Sequence, residues 1–132
     1  MTSYDNQRLE RFLVTTTIRD GVLRAGVELY LIKDGKVMVL DGLRVPRMEV
    51  KGWKINEAVA GLLNGHGIKT GKVTYLGFSD IVDGGTRTRM YRFSAGADGA
   101  GGKFVEVGRF EDLVGKAAFS KLSSFAKTED VL

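Results

Sequence analysis

Four side chains within one short stretch have the types needed to hold an anion. Arg44, Arg47, Lys51 and Lys54 stand among Val45, Pro46, Met48 and Trp53. Guanidinium and ammonium groups of this kind can contact phosphate oxygens directly, and an indole can stack on a base. The competing expectation is a solvated loop with Trp53 packed on the edge of the domain. A second cluster joins Arg87, Arg89 and Arg92 to Tyr91. At a strand's period of two, Arg87, Arg89 and Tyr91 share a face, which would suit a nucleotide or an RNA backbone if that face lined a cleft. The alternative is an exposed sheet face whose long charged side chains discourage aggregation.

The carboxylates able to converge on a cleft are Glu49, Glu57, Asp80, Asp83 and Glu106, with Glu49 and Glu106 foremost. His66 is the sole histidine. It stands between Gly65 and Gly67 at the end of a helical pattern, where a cation is welcome near the carbonyl end. The chain has no cysteine, which excludes disulfides, thiolate zinc sites and cysteine nucleophiles. The run from Gly96 to Gly102 lacks the Lys-Ser/Thr ending of a phosphate-cradling loop.

These groups need elements to position them. Phe12 to Ile18 alternates with β-branched residues and predicts a strand, with Asp20-Gly21 as its turn. Ala25 to Ile32 predicts a second strand. Asp34-Gly35 is a hairpin signal, since both turn positions need positive φ. Lys36 to Leu40 returns. Residues 42–54 form the basic loop. Ile55 to His66 places Ile55, Val59, Leu62 and Leu63 at helical spacing, with Asn56 as N-cap. Strands follow at 72–78, 86–94 and 104–110. The last element is an amphipathic helix over 115–127, with Ala118, Phe119, Leu122 and Phe125 along its apolar stripe.

The 132 residues fit one domain, 1–132. Apolar residues make up 43%, charged residues 27%, and mean hydropathy is −0.07. That composition is globular, neither disordered nor membrane-like. The first eleven residues are polar and lack the apolar stretch of a secretory signal, so a cytoplasmic protein without membrane contact is expected. The net charge of +4 permits an anionic partner without requiring one.

The order of elements, with the local sequence, resembles the Nudix hydrolase superfamily. "RAGVELYLIKDGKVMVLDG" is similar to that family's opening hairpin, "NEAVAGLLNGHGIKTGKVTYLGFSD" to its box helix and following strand, and "KFVEVGRFEDL" to its late strand. The likeness spans Leu23 to Leu113. It implies an α/β fold: an α/β/α sandwich with a mixed sheet between the box helix and the C-terminal helix. The family box reads G-x5-E-x7-R-E-U-x-E-E-x-G-U, with U apolar. Leu62, Gly67 and Ile68 match its structural positions. Ala60, Gly61, Asn64 and Gly65 fall where its Arg and its Glu residues stand. Glu49 is the candidate match for the acidic residue upstream.

Mg²⁺ and Mn²⁺ need carboxylate oxygens to be held beside a diphosphate. The resemblance therefore implies a catalytically impaired Nudix-like protein. It would bind a nucleotide, an RNA end or a protein partner through the old cleft, with no cofactor. One alternative is an active hydrolase of nucleoside-diphosphate-linked substrates, using Mg²⁺ or Mn²⁺ on the displaced carboxylates Glu49 and Glu106. Another is a structural or interaction protein, such as a homodimer, with a vestigial cleft.

Overall fold

The computed structural model describes residues 4–68, 72–97 and 101–131, and the side chains up to 127. Helix α1 (Gln7–Arg19) leads into strand β1 (Arg24–Lys33), followed by β2 (Lys36–Val39), β3 (Arg47–Glu49) and helix α2 (Ile55–Gly65). Strands β4 (Val73–Asp83) and β5 (Thr86–Gly96) form a long hairpin. Strand β6 (Lys103–Glu106), a 3-10 turn, a short helix α3 (Glu111–Val114) and helix α4 (Lys116–Val131) complete the chain.

The six strands make one mixed sheet, five of them in the order β4-β5-β1-β2-β6 and β3 off this path against β1. Strand β1 runs parallel to β5 from Arg24↔Thr88 to Ile32↔Gly96, and every other pairing is antiparallel. With β5 along one edge of β1, its other edge is divided between β3 and β2. Positions 25–32 of β1 are all buried, as expected of a strand covered on both faces. Val27, Leu29 and Leu31 join Leu13 of α1 and Val59, Leu62 and Leu63 of α2 in one core. Tyr30 and Ile32 point the other way, into a core with Phe110, Leu122 and Phe125. The fold is thus mixed α/β with helices on both faces. The hairpin expected at Asp34-Gly35 is present, with φ of 52° and 72°.

Residues 12–18 are a helix, which corrects the strand expected there. Asn6 accepts a hydrogen bond from the Leu9 N–H at 3.2 Å and caps the first turn. Leu9, Leu13 and Thr17 then fall at i, i+4 and i+8 against the sheet. The β-branched run is accommodated because Thr16 and Thr17 return their hydroxyls to the Phe12 and Leu13 carbonyls. The strand expected over 104–110 ends at Glu106, and Val107–Phe110 winds into the 3-10 turn, where Phe110 is fully buried. The 42–54 loop contains the short strand β3. Asn56 lies inside α2 and Lys54 takes the N-cap position without a side-chain bond. Residues 98–100 of the Gly96 to Gly102 run lie outside the described residues, and Gly96 belongs to β5. Among the described residues no helix is long and apolar enough to cross a membrane.

Candidate functional site

The segment between β3 and α2 is pinned at one end by Val50, whose N–H donates to the Ala25 carbonyl at 2.9 Å. It must then reverse into α2. Gly52 and Trp53 both do so in the left-handed region, at φ of 61° and 60°. For a bulky residue such as Trp53 that conformation costs about 1–2 kcal/mol. Its indole is half-buried and packs on the rim of the α1–α2 core.

Two contiguous clefts flank this turn. One, of 750 Å³, lies between β3 and α2 and is lined by Met48, Glu49, Lys51, Lys54, Glu57 and Ala58, among others. The other, of 510 Å³, shares Lys54 and Glu57 and continues to Trp53, Glu10, Arg11 and Thr15 of α1. Lys51 is exposed, and Lys54 pairs with Glu57 at 3.6 Å across exposed side chains. The α2 N-terminus is closed by α1: Glu10 accepts from the Asn56 N–H at 2.8 Å, and the Asn56 amide donates to Asp5 at 3.1 Å. Glu10 and Arg11 were missed because the first eleven residues read only as a polar stretch, and Thr15 because residues 12–18 read as a strand. The signal that points to them is Asn6 ahead of Leu9 and Leu13 at helical spacing.

Of the anion-binding candidates, Lys51, Trp53 and Lys54 come together here. Arg44 does not; it sits in the turn after β2, bridged to Asp41. Arg47 does not either. It shares the face of Tyr30, donates to Glu28 at 3.1 Å, and Glu28 is also 3.2 Å from the Arg92 Nε. Tyr30 beside them is pushed up to about 12, chiefly by burial and then by the Glu28 charge.

In the second basic cluster Arg89, Tyr91 and Arg92 are buried and only Arg87 is exposed, so the shared face of Arg87, Arg89 and Tyr91 does not line an open cleft as expected. Arg89 is 2% exposed. Its guanidinium donates to Asp80 through Nε at 2.7 Å and Nη2 at 3.0 Å, and to Asp20 through Nη1 at 2.9 Å. It also lies 4.2 Å from the centre of the Phe78 ring. Hydrogen bonding from Arg89 is the main cause holding both Asp20 and Asp80 below the usual carboxylate range. Arg87 donates to Asp80 at 3.0 Å and to the Asp20 carbonyl at 3.3 Å. Tyr91 is fully buried under α1, its hydroxyl hydrogen-bonded with Thr17, and burial raises its pKa. These residues clamp the C-terminal end of α1 to the sheet. Glu10, in the cleft, and Asp20, in the clamp, are ten residues apart on one helix, roughly 15 Å. The two basic clusters do not form one site.

Glu49 shares the cleft with Glu57, but the two foremost carboxylates, Glu49 and Glu106, do not assemble as a pair. Glu49 is opposite Gly26, whereas Glu106 is opposite Lys36, itself opposite Lys33. Seven residues of β1 separate the two registers, roughly 23 Å. Glu106 pairs instead with Lys36 at 3.8 Å. Asp80 is engaged in the Arg89 clamp. His66 forms the C-cap of α2 through its backbone. The α2 face opposite β3 is apolar: a Cβ built on Gly61 would lie 3.2 Å from the Met48 ε-methyl. Among the described residues no three His, Asp or Glu side chains group as metal ligands. The residues present therefore do not fit the Mg²⁺ or Mn²⁺ that the hydrolase alternative would need.

No family model matches the chain, and no curated protein matches it. A solved structure from Sinorhizobium meliloti 1021, named a putative oxidoreductase, is similar at 20% identity with a TM-score of 0.47. The match covers 98% of this chain and 46% of that one, so this chain spans less than half its length. A likeness of that size fixes neither fold nor activity.

Proposed function

We propose that this chain is a Nudix-like module that binds a nucleotide-type anion in the cleft between β3, the 51–54 turn and α2, and does not hydrolyse it. The observation that carries the reading is the Met48–Gly61 contact. A methionine thioether packs on the helix face where the resembled family carries a metal-binding carboxylate. An apolar surface there offers no hard oxygen ligands. The cleft keeps two exposed cations, Lys51 and Lys54, and an indole for contact with phosphate and base. A bulky residue held at positive φ is a conformation that persists when its surroundings impose it, often at a ligand site.

Trp53 is the only tryptophan, so its fluorescence reports on the cleft directly. Titration with ADP, ATP and ADP-ribose should quench it, and a Lys51→Gln/Lys54→Gln variant should weaken that response. Incubation with the same nucleotides plus Mg²⁺ or Mn²⁺ should yield no product. Metal-dependent turnover, or an unquenched Trp53 at millimolar nucleotide, would sink this reading.

A second reading, an oligomeric interaction protein, rests on β4. That strand is an edge of the sheet and exposes Phe78 at 48% and Val82 at 69%. Sedimentation equilibrium separates the two readings: a concentration-dependent dimer abolished by Val82→Lys favours the second.

A further inference from the structure

Helix α1 turns its one acidic residue inward. Glu10 caps α2, while Leu13 and Thr17 are buried under the helix. What faces outward is a basic and aromatic stripe. At 3.6 residues per turn, Arg8, Phe12, Thr15 and Arg19 project within about 60° of one another, and Arg11 flanks them. All five are exposed, Phe12 at 62%. They border a shallow concavity of 630 Å³. The first and last arginines are eleven residues apart, about 16 Å along the axis. Among the described residues the one carboxylate that meets this face in an ion pair is Asp20, 3.6 Å from the Arg19 Nε, and its other oxygen is already held by Arg89.

We infer that the outer face of α1 is a docking track for single-stranded nucleic acid. Arg8 and Arg11 meet no carboxylate in an ion pair among the described residues, and Arg19 shares Asp20 with Arg89, so the stripe presents exposed positive charge to an anionic partner. Guanidinium forks match phosphate oxygens in pairs, which point-charge lysines do not. Phe12 stands between Arg8 and Arg19 as a platform on which an unpaired base can stack. A lipid surface fits less well. The apolar stripe of α1 is spent on the domain core, leaving Phe12 and Ile18 as its exposed apolar side chains, too little to seat a helix in a bilayer interface. The inference does not rest on the cleft reading, since none of these arginines except Arg11 lines that cleft.

The test is fluorescence anisotropy of the full chain with labelled oligouridine and oligothymidine across a salt series. Three phosphate contacts on a single strand give a slope near −2 in log affinity against log salt, a weakening of roughly 20-fold between about 50 and 200 mM. The Arg8→Gln/Arg11→Gln/Arg19→Gln variant should lose that binding and flatten the slope. Phe12→Ala should weaken binding on the order of tenfold at unchanged slope. Lys116→Gln/Lys121→Gln removes exposed charge from α4, across the sheet, and should change nothing. If the triple variant melts early, Arg8→Gln alone reads the same effect, reducing the slope by about a third. Preference for oligouridine assigns the strand as RNA; equal affinity leaves single-stranded nucleic acid in general. No binding by the wild type at low salt, wild-type affinity in the triple variant, an equal loss in the α4 variant, or capture by phosphatidylserine vesicles with none of either oligonucleotide would each overturn the inference.

Discussion

Replacing Arg89 by methionine tests whether the buried cation holds α1 on the sheet. The side chain is 3% exposed and makes three hydrogen bonds to two carboxylates. Removing one partner of a buried ion pair costs about 3–5 kcal/mol, because the charge left behind has lost its compensation. Here the lower end applies. Asp80 keeps Arg87, and Asp20 is partly solvated. At roughly 2.1 cal/mol/K of unfolding entropy per residue, this chain carries about 280 cal/mol/K, so a loss of about 3 kcal/mol lowers Tm by about 11 °C. The pH dependence follows from the depressed carboxylates. Their folded pKa values lie below the unfolded ones. Their contribution is therefore complete above the unfolded pKa, near 4, and is lost as pH falls through the folded values. The gap between wild type and Arg89→Met should be widest at neutral pH and should narrow in acid. Urea unfolding at neutral pH and near pH 3.5 measures both. A neutral-pH loss under about 1 kcal/mol, or a gap that does not narrow, would refute this account of the clamp.

Other outcomes follow from single contacts. Gly61→Ala should stabilise α2 by about 0.5–1 kcal/mol in thermal melts, because the helix gains Ala propensity and the half-exposed Met48 can shift from its 3.2 Å contact. Gly26→Ala should destabilise by about 1–3 kcal/mol: the new Cβ would stand 2.7 Å from the buried Met90 sulfur. Glu10→Ala removes the carboxylate from the Asn56 N–H and should cost about 1 kcal/mol, with faster amide exchange in the first turn of α2. Tyr30 and Tyr75 are each raised to about 12, mainly by burial. Both should stay protonated in the folded protein while the unfolded chain titrates near 10, so stability should fall as pH rises beyond about 10; ultraviolet phenolate titration checks this.

The patterns that read correctly are those in which one local rule acts alone. Ala25 to Ile32 sets Val27, Leu29 and Leu31 on one face and Tyr30 and Ile32 on the other, and Asp34-Gly35 suits a positive-φ turn, so β1 and its hairpin with β2 stand where their sequence puts them. Ile55, Val59 and Leu62 mark α2 for the same reason. The failures occur where two periods compete. Phe12 to Ile18 satisfies a strand's alternation, yet Leu9, Leu13 and Thr17 also satisfy a helix, and the Asn6 cap with burial on Tyr91 decides for the helix. That misreading, with the first eleven residues read only as a polar stretch, hides Glu10 and Arg11 from the cleft and the outer stripe of α1 from view.

Sequence by itself determined the materials: an α/β chain without cysteine, a helix with Gly61, Asn64 and Gly65 and no carboxylate at those positions, and two groups of cations. It also fixed which face Arg87, Arg89 and Tyr91 share, since alternation along a strand is local. Whether that face meets solvent or another element is not local, and α1 covers it. Tertiary structure turned Arg89 into an internal clamp, separated Glu49 from Glu106, sent Arg47 to the far face, and left Lys51, Trp53 and Lys54 together. The physical reason is that a charged side chain carries no record in sequence of its partner. Asp20 and Asp80 meet Arg89 from sixty-nine and nine residues away, and only the folded sheet brings those three within 3 Å.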